Sequence, residues 1–503
     1  MIKAEIELLA PAGKWDVMVA AVAAGADAVY LGGKRFNMRM LRPEYNFSDS
    51  ELRDACEYLH QRSKKLYITV NNLYYQAELE ELQDYLVFIN DIGADAVIIQ
   101  DLAIAQLHKE LNLQIPIHAS VQMGIANGAA AALLEEWGFS RAILSKNLSL
   151  QEIKDIHHST RLSIEYFAHG DLCVSHAGQC YMSSFMAGES GNRGRCLKPC
   201  RWPYSVANGI PAGEMKYYLA HNDLCLVNHI QDLIEAGVAS FKIEGRMRGA
   251  EYIAHLITCY REALDNAINK QGEGALAAHS RLEENKIRDF CTGNLYGRPE
   301  IDAIGLSGAR EPVFISTALR LERLKTDDFE HRPITLEKSG QLSVKLHDPR
   351  VIPELLSPEL ETVIMEWEGI RQLKGQKSFG RIQEAARQLE GLNTGLVVEL
   401  PRIVAQNDLP DIRIALENIR GINVLAVMVN DYGSLKLARD YGYNIWGGYG
   451  LNLSNTAAAG FLLNNGLKRL TISPELDAGR IKDILNCQSP VELEMMVHGP
   501  CAV

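Results

Sequence analysis

Short, almost unbroken apolar runs alternate with amphipathic stretches along the first half of the chain. The opening "ELLAPAGKWDVMVAAVAAGADAVYLGG" reads as strand, loop, helix and strand. An apolar run ends at Pro11-Ala12-Gly13, an Ala-rich stretch of helical composition follows, and Gly25 precedes the next apolar run. The same alternation predicts strands at Glu7–Ala10, Ala28–Leu31, Leu66–Val70, Ala96–Ile99, Ile115–His118, Ala142–Leu144, Leu162–Ala168 and Ser240–Ile243. Helical stretches such as Ala77–Asn90, Leu102–Leu111 and Ala126–Trp137 separate them. Three junctions, "AAGADAVYLG", "DIGADAVIIQD" and "EAGVASFKIEG", put a glycine where a helix C-cap wants one, followed by a run that fits a strand buried on both faces. These units predict an α/β fold, a TIM-like (β/α)8 barrel over residues 1–299. An open doubly wound sheet is the competing solution, but no GxGxxG follows the first strand.

The pattern returns near the end. Residues 126–156 align without a gap to 454–484, with 13 identities in 31 positions. "GLVVELP" and "VLAVMVND" supply earlier strands and "ELEMMVHG" echoes "SIEYFAHG", so residues 395–503 are expected to form a partial second barrel-like repeat. Between the two, 300–394 differs. "RPITLEKSGQLSVKLHDP" alternates like strands and "EWEGIRQLKGQKSFGRIQEAARQLEG" is helical and charged, which reads as a small β-containing insert or linker domain.

An apolar fraction of 47% and a charged fraction of 23% are those of a globular protein. No stretch is apolar and long enough to span a bilayer, and the first residues lack the apolar core of a signal peptide. A cytoplasmic location without membrane attachment is therefore expected, with reduced thiols, which weakens any disulfide reading of the cysteines. A net charge of −12 argues against general polyanion binding. It leaves room for a local patch: Arg193, Arg195, Lys198 and Arg201 fall in nine residues without an acid, followed by Trp202 and Tyr204. Such a strip fits RNA phosphates and a stacked base; an ordinary solvated loop is the plainer reading.

Four of the ten cysteines, Cys173, Cys180, Cys196 and Cys200, lie in one Gly-, Ser- and Arg-rich run with the spacing C-x6-C-x15-C-x3-C, and Cys225 follows in "HNDLC". The run falls directly after the seventh predicted strand, in the segment 169–204, on the face of a barrel where active sites gather. A 4Fe-4S cluster tolerates irregular spacing, because four thiolates need only surround a cube. Zinc usually asks for paired knuckles, and only Cys196–Cys200 resembles one. A reactive thiol with a lowered pKa is the third reading.

"EYFAHGDLCVSHAGQCYMS" resembles the signature of the collagenase-like peptidase family U32, with Glu165, Phe167, Gly170, Leu172, Cys173, Gly178, Cys180, Met182 and Ser183 in register. Asp171 departs from it, since Ser or Ala is expected there. "ELLAPAG", "DAVYLGGKRFNMR", "NRGRCLKPCRWPY", "NDLC" and "FKIEGR" also resemble this family. The resemblance implies one of two activities. Some members are named for collagenolytic peptidase activity. Others are oxygen-independent hydroxylases with a 4Fe-4S cluster, acting on a ubiquinone precursor, on a transfer-RNA uridine with prephenate as oxygen donor, or on a ribosomal-RNA cytidine. Carried over by motif, it implies Cys173, Cys180, Cys196 and Cys225 as cluster ligands, whereas spacing alone favours Cys200 over Cys225.

The expected enzyme is thus an iron–sulfur hydroxylase of a ribosomal or transfer RNA base, with a small anionic co-substrate. A thiol- or metal-dependent peptidase and a zinc-stabilised binding module are the alternatives. The peptidase finds no HExxH or GxSxG. Candidate catalytic groups are Glu165 and His169 for proton movement, and Lys242, Glu244 and Arg246 at a strand end. Candidate substrate-binding groups are Arg39, Asn71, Gln100, Asp101, His118, Gln122, Arg193 and Arg201. Against these stand plainer roles: a structural Glu244–Arg246 pair, a backbone-orienting Glu165 and a core His118.

Overall fold

The structure, a computed structural model, describes residues 6–205, 215–269, 274–311, 340–367, 372–487 and 492–499. Strands β1 (Glu7–Pro11), β2 (Ala28–Leu31), β3 (Lys65–Val70), β4 (Ala96–Ile99), β5 (Ile117–Ala119), β6 (Arg141–Ile143) and β7 (Ser163–Gly170) pair in parallel in sequence order. The short β8 (Asp223–Cys225) runs antiparallel to β7 at the rim, and β9 (Val238–Ile243) closes the ring by pairing in parallel with both β7 and β1. β10 (Phe290–Cys291) extends β8. The closed eight-stranded barrel is the one the apolar alternation predicts. β1, β2 and β4 are buried along their whole length because the lumen takes one face and the helical ring the other.

The lumen is not wholly apolar. At the closing seam, Arg141 donates to Glu7 (2.6 Å) and Glu165 (3.0 Å), Lys242 to Glu165 (2.7 Å), Ser240 to Glu7 (2.8 Å) and Tyr67 to Glu7 (2.6 Å). Two carboxylates meet two cations on β1, β6, β7 and β9. Burial alone would raise the Glu7 carboxyl, but the Arg141 guanidinium outweighs it and leaves the group below its ordinary range.

The second sheet is open, with seven parallel strands in sequence order: β11 (Leu342–Leu346), β12 (Leu360–Glu366), β13 (Gly395–Glu399), β14 (Ala426–Val429), β15 (Ile445–Gly447), β16 (Leu467–Thr471) and β17 (Glu492–Glu494). It therefore starts at Leu342, inside the segment 300–394 that reads from sequence as a separate insert. Among the described residues β11 is an edge strand with partly exposed side chains, so it alternates, whereas β13, inside the sheet, carries the apolar run of a buried strand. At the other end, residues 300–311 belong with the first barrel. Gly305 N donates to Ala220 O (2.8 Å) and Glu311 accepts from Arg201 (2.6 Å). The stretch 312–339 lies outside the described residues.

The two repeats dock through reciprocal contacts between equivalent parts, as a two-fold relation requires. Asn127 caps its helix and donates to Val404 O (2.8 Å); Asn455, its counterpart, caps its own helix and donates to Tyr74 O (3.1 Å). Gln406 Oε1 accepts from Gly128 N (2.7 Å) and Gln76 Oε1 from Thr456 N (2.8 Å). Trp137 stands edge-on to Tyr432 and Phe461. Among the described residues no helix is long and apolar enough to cross a membrane.

Glu165→Ala is expected to destabilise the barrel by about 3–5 kcal/mol, because it strands Arg141 and Lys242 without their shared carboxylate. Urea unfolding of the variant measures this.

Candidate active site

Lys242, Tyr30 and Phe167 stack above the ionic seam, with the Lys242 ammonium 4.4 Å from the Tyr30 ring and 5.5 Å from the Phe167 ring. Burial holds Lys242 below its ordinary pKa, with Glu165 opposing. Lys146, from the loop after β6, lies 4.1 Å over Phe167 and donates to Glu244 (2.5 Å) and to Asp171 O (2.6 Å). Arg39 approaches Glu244 from the other side at 3.7 Å.

Arg246 is buried, yet its hydrogen bonds go only to neutral oxygens: Asn46 Oδ1 (2.8 Å), Thr69 Oγ1 (3.2 Å), Asn37 Oδ1 (3.3 Å) and Tyr45 O (3.3 Å). Among the described residues it has no acidic partner, so Glu244 and Arg246 do not form the structural pair the sequence allows. Burial, with Arg39 nearby, pushes its guanidinium down to about 10. A buried cation balanced only by dipoles favours a bound anion. Two glycines of the resembling motifs make this possible. A Cβ on Gly13 would sit 2.0 Å from Arg246 O, and one on Gly32 2.7 Å from Arg246 Nη2.

The cysteine run leaves β7 at Gly170, whose φ of +121° and closeness to Glu244 exclude a side chain. Burial raises the Cys200 thiol to about 12, with Cys173, Cys196 and Cys180 adding to the push. Burial likewise raises Cys173 to about 11, with Lys146, Glu244 and Cys196 among its charged neighbours. The backbone N–H of Lys198 points at the Cys196 sulfur (3.3 Å). These four thiols are therefore electrostatic neighbours beside the cationic mouth. Cys225 stands apart in the barrel wall, with Tyr260 OH at 3.8 Å from its sulfur and Glu283 and Cys291 near it. No three His, Cys, Asp or Glu side chains among the described residues converge into a ready-made metal site. In donor chemistry the four loop thiols fit an iron–sulfur cluster or zinc.

Asp171, the departure from the signature, anchors the run: it pairs with Lys198 (2.7 Å), Arg288 and Arg201. Burial would raise its carboxyl, but Lys198, Arg201 and Arg288 hold it well below the usual range.

The remaining expected residues fall elsewhere. The basic strip is not free for RNA. Arg193 is bidentate to Glu78 (2.7 and 2.8 Å) and Arg201 binds Glu311, both arginines being buried; Arg195 pairs with Glu189. Trp202 is buried as well. Glu165 is locked in the ionic seam. His169 turns away from the lumen, because the strand slips register between Phe167 and His169, and meets Tyr260 (3.3 Å) and Phe290 instead. Burial lowers its imidazole to about 3, which keeps it neutral and unable to take up a proton near neutrality. His118 is a core histidine against Tyr67. Asn71 accepts from Met38 N (3.3 Å) under the Arg39 loop. Gln100, Asp101 and Gln122 lie beneath the second repeat: Asp101 caps its helix and accepts from Asn455 (3.0 Å), and Gln122 accepts from Gly178 N (3.1 Å). Lys146, Tyr30, Asn37 and Phe167 also stand at the mouth. Tyr30 and Lys146 lie at the ends of predicted strands, which is the sequence signal for them, whereas Asn37 lies at none.

Set beside known proteins, the chain matches the family model for peptidase family U32 over residues 13–305 and again over 368–503. It belongs to this family. It is 38% identical over 275 residues to an uncharacterized protease of Methanocaldococcus jannaschii, covering 52% of this chain and 66% of that protein. It is 37% identical over 286 residues to the 23S rRNA 5-hydroxycytidine synthase of Escherichia coli, covering 55% of this chain and 42% of that one. A tRNA hydroxylation protein of Bacillus subtilis is 31% identical over 304 residues, covering 58% and 71%. The match thus spans two thirds or less of the first two relatives' own length.

Burial raises the Asp101 carboxyl to about 6, above its ordinary value. Asp101 therefore binds a proton more readily in the folded chain than in the unfolded one between about pH 4 and 6, so its contribution to stability falls as pH rises through that window and is level above it. His169, with its imidazole lowered to about 3, contributes the opposite trend, so the Asp101 contribution is read as a difference: the gap in urea midpoint between wild type and Asp101→Asn is expected to favour wild type more at pH 4.5 than at pH 7.

Proposed function

We propose that this U32-family chain is an iron–sulfur-dependent, oxygen-independent hydroxylase of an RNA base, ribosomal or transfer, with a small anion such as prephenate as oxygen donor. The observation that carries the reading is the buried Arg246 at the barrel mouth, without an acidic partner among the described residues, beside a run of four cysteines that leaves the neighbouring strand. The names of two relatives, an rRNA hydroxycytidine synthase and a tRNA hydroxylation protein, support the substrate class. The ion pairs of Arg193 with Glu78 and of Arg201 with Glu311 speak against these two arginines as RNA contacts.

A 4Fe-4S cluster held by Cys173, Cys180, Cys196 and Cys200 would supply one-electron chemistry beside the mouth. The chain's own residues do the rest. Arg246 and Arg39 bind carboxylate, Arg246 through a guanidinium already fixed by four neutral acceptors. Lys146 and Lys242 add positive field, and Glu244, held between Lys146 and Arg39, is the carboxylate an incoming anion displaces. Tyr30 and Phe167 set their rings against the Lys242 and Lys146 ammonium groups. A thiol peptidase has less support, since among the described residues the recorded Cys–His contacts are Cys56–His60 and Cys259–His255, both within helices away from the mouth.

Protein purified without air is expected to carry about four irons and four sulfides per chain. Cys173→Ala and Cys200→Ser are expected to lose the iron and Cys225→Ser to keep it. One zinc without sulfide would overturn the cluster. RNA from a deletion strain should lack one hydroxylated nucleoside by mass spectrometry, restored by the wild-type gene. Arg246→Ala is expected to cost the anionic donor about 2–5 kcal/mol of binding, read as a raised KM.

A further inference from the structure

The cysteine run is held by equivalent turns of both repeats. In the first repeat the turn Val121–Met123 closes on Gly124 in the left-handed region (φ +67°), and its carbonyl accepts from His176 Nε2 at 3.0 Å. In the second the corresponding turn, Tyr449–Leu451, closes on Asn452 (φ +55°). A side chain at such a φ costs strain that glycine avoids, and asparagine is among the residues that tolerate it best. Here the side chain has work that glycine lacks. Asn452 Nδ2 donates to Gly178 O (2.7 Å) and Asn452 Oδ1 accepts from Tyr181 OH (2.7 Å), while Gln179 Nε2 donates to Gly450 O (2.7 Å).

Cys180 is thus flanked on both sides by residues tied to the second repeat. Gly178 cannot shift to escape this hold, since a Cβ there would lie 2.1 Å from Gln122 O and its N–H is bound to Gln122. Farther along the run, Glu475 accepts from Asn192 Nδ2 (2.9 Å) and from Ser184. The ungapped alignment of the repeats adds a second, independent observation. It sets Pro474 opposite Lys146 and Glu475 opposite Asn147, so the second repeat lacks the mouth lysine and carries, one residue on, a carboxylate that grips the run.

We infer that Asn452 is a positioning residue for Cys180, and that the second repeat acts as a brace for the thiol run of the first barrel rather than as a second reaction centre. The inference rests on the run being the working part of the site, not on which substrate that site takes. Weakening this contact should loosen the run while leaving each repeat folded.

Asn452→Gly tests it, because glycine keeps the left-handed turn and removes only the two side-chain bonds. In the full chain, peptide-resolved hydrogen exchange of residues 178–192 is expected to quicken about ten-fold or more, since two buried hydrogen bonds are lost. Exchange of 456–464 should quicken much less than that of 178–192, and Tyr181→Phe should fall between wild type and Asn452→Gly. Asn407→Ala, which removes a 3.0 Å bond to Glu152 elsewhere on the same interface, should leave the run unchanged. Unchanged exchange of 178–192 in Asn452→Gly would overturn the inference. So would an equal loosening by Asn407→Ala, which would make the effect one of docking in general. Neither readout depends on RNA or iron, so failure of the hydroxylase reading would leave this result standing.

Discussion

Closure of the first barrel depends on a neutral group of four buried charges. β9 must pair with both β7 and β1, and at that seam Glu165 and Glu7 face Lys242 and Arg141. Leaving any one unpaired would cost several kcal/mol, which makes the set a constraint on strand register as much as a source of stability. The network also explains why a signature glutamate occurs in the middle of an apolar strand. Glu165 holds Lys242 upright under the mouth, where its ammonium meets Tyr30 and Phe167. The chemistry at the top therefore inherits its geometry from the electrostatics below.

The mouth shows the opposite balance. Lys146 and Arg39 share Glu244, and Arg246 has only neutral oxygens. Small residues let these groups approach: Gly13 and Gly32 give Arg246 its space, and Gly170 lets the chain turn out past Glu244. Asp171 balances the base of the cysteine run against Lys198, Arg201 and Arg288. Its departure from the family signature is thus compensated by cations of the run itself and by one from a distant loop.

The barrel strands were readable because burial on both faces writes an unbroken apolar run, and the repeat because 126–156 and 454–484 keep their caps: Asn127 and Asn455 do the same work at equivalent helix starts. The start of the second sheet was not readable, since the edge strand β11 carries the alternation of a half-exposed strand. The basic strip misled for a different reason. The acids that bind Arg193 and Arg201 are Glu78 and Glu311, more than a hundred residues away, and a local charge count cannot see them. His169 misled because a slip in register reverses which face a side chain takes, and composition carries no trace of it.

The two repeats have diverged along physical lines. The first keeps a closed barrel, a cationic mouth and the thiol run. In the second, Glu399, which follows the same strand position as Thr69, is buried between Asn430 (2.9 Å) and Lys345 (2.7 Å), so its mouth is internally neutralised. Equivalent turns then serve unequal ends: Gly124 offers a carbonyl, whereas Asn452 accepts backbone strain to offer an amide. Between the repeats, a cavity of about 30 Å³ is lined by matching residues of both, Asp101 with Asp431 and Gln100 with Asn430. Its walls mix polar and apolar side chains, and the buried Gln100 amide has no hydrogen-bond partner among the described residues, so the interface is not fully matched in hydrogen bonds.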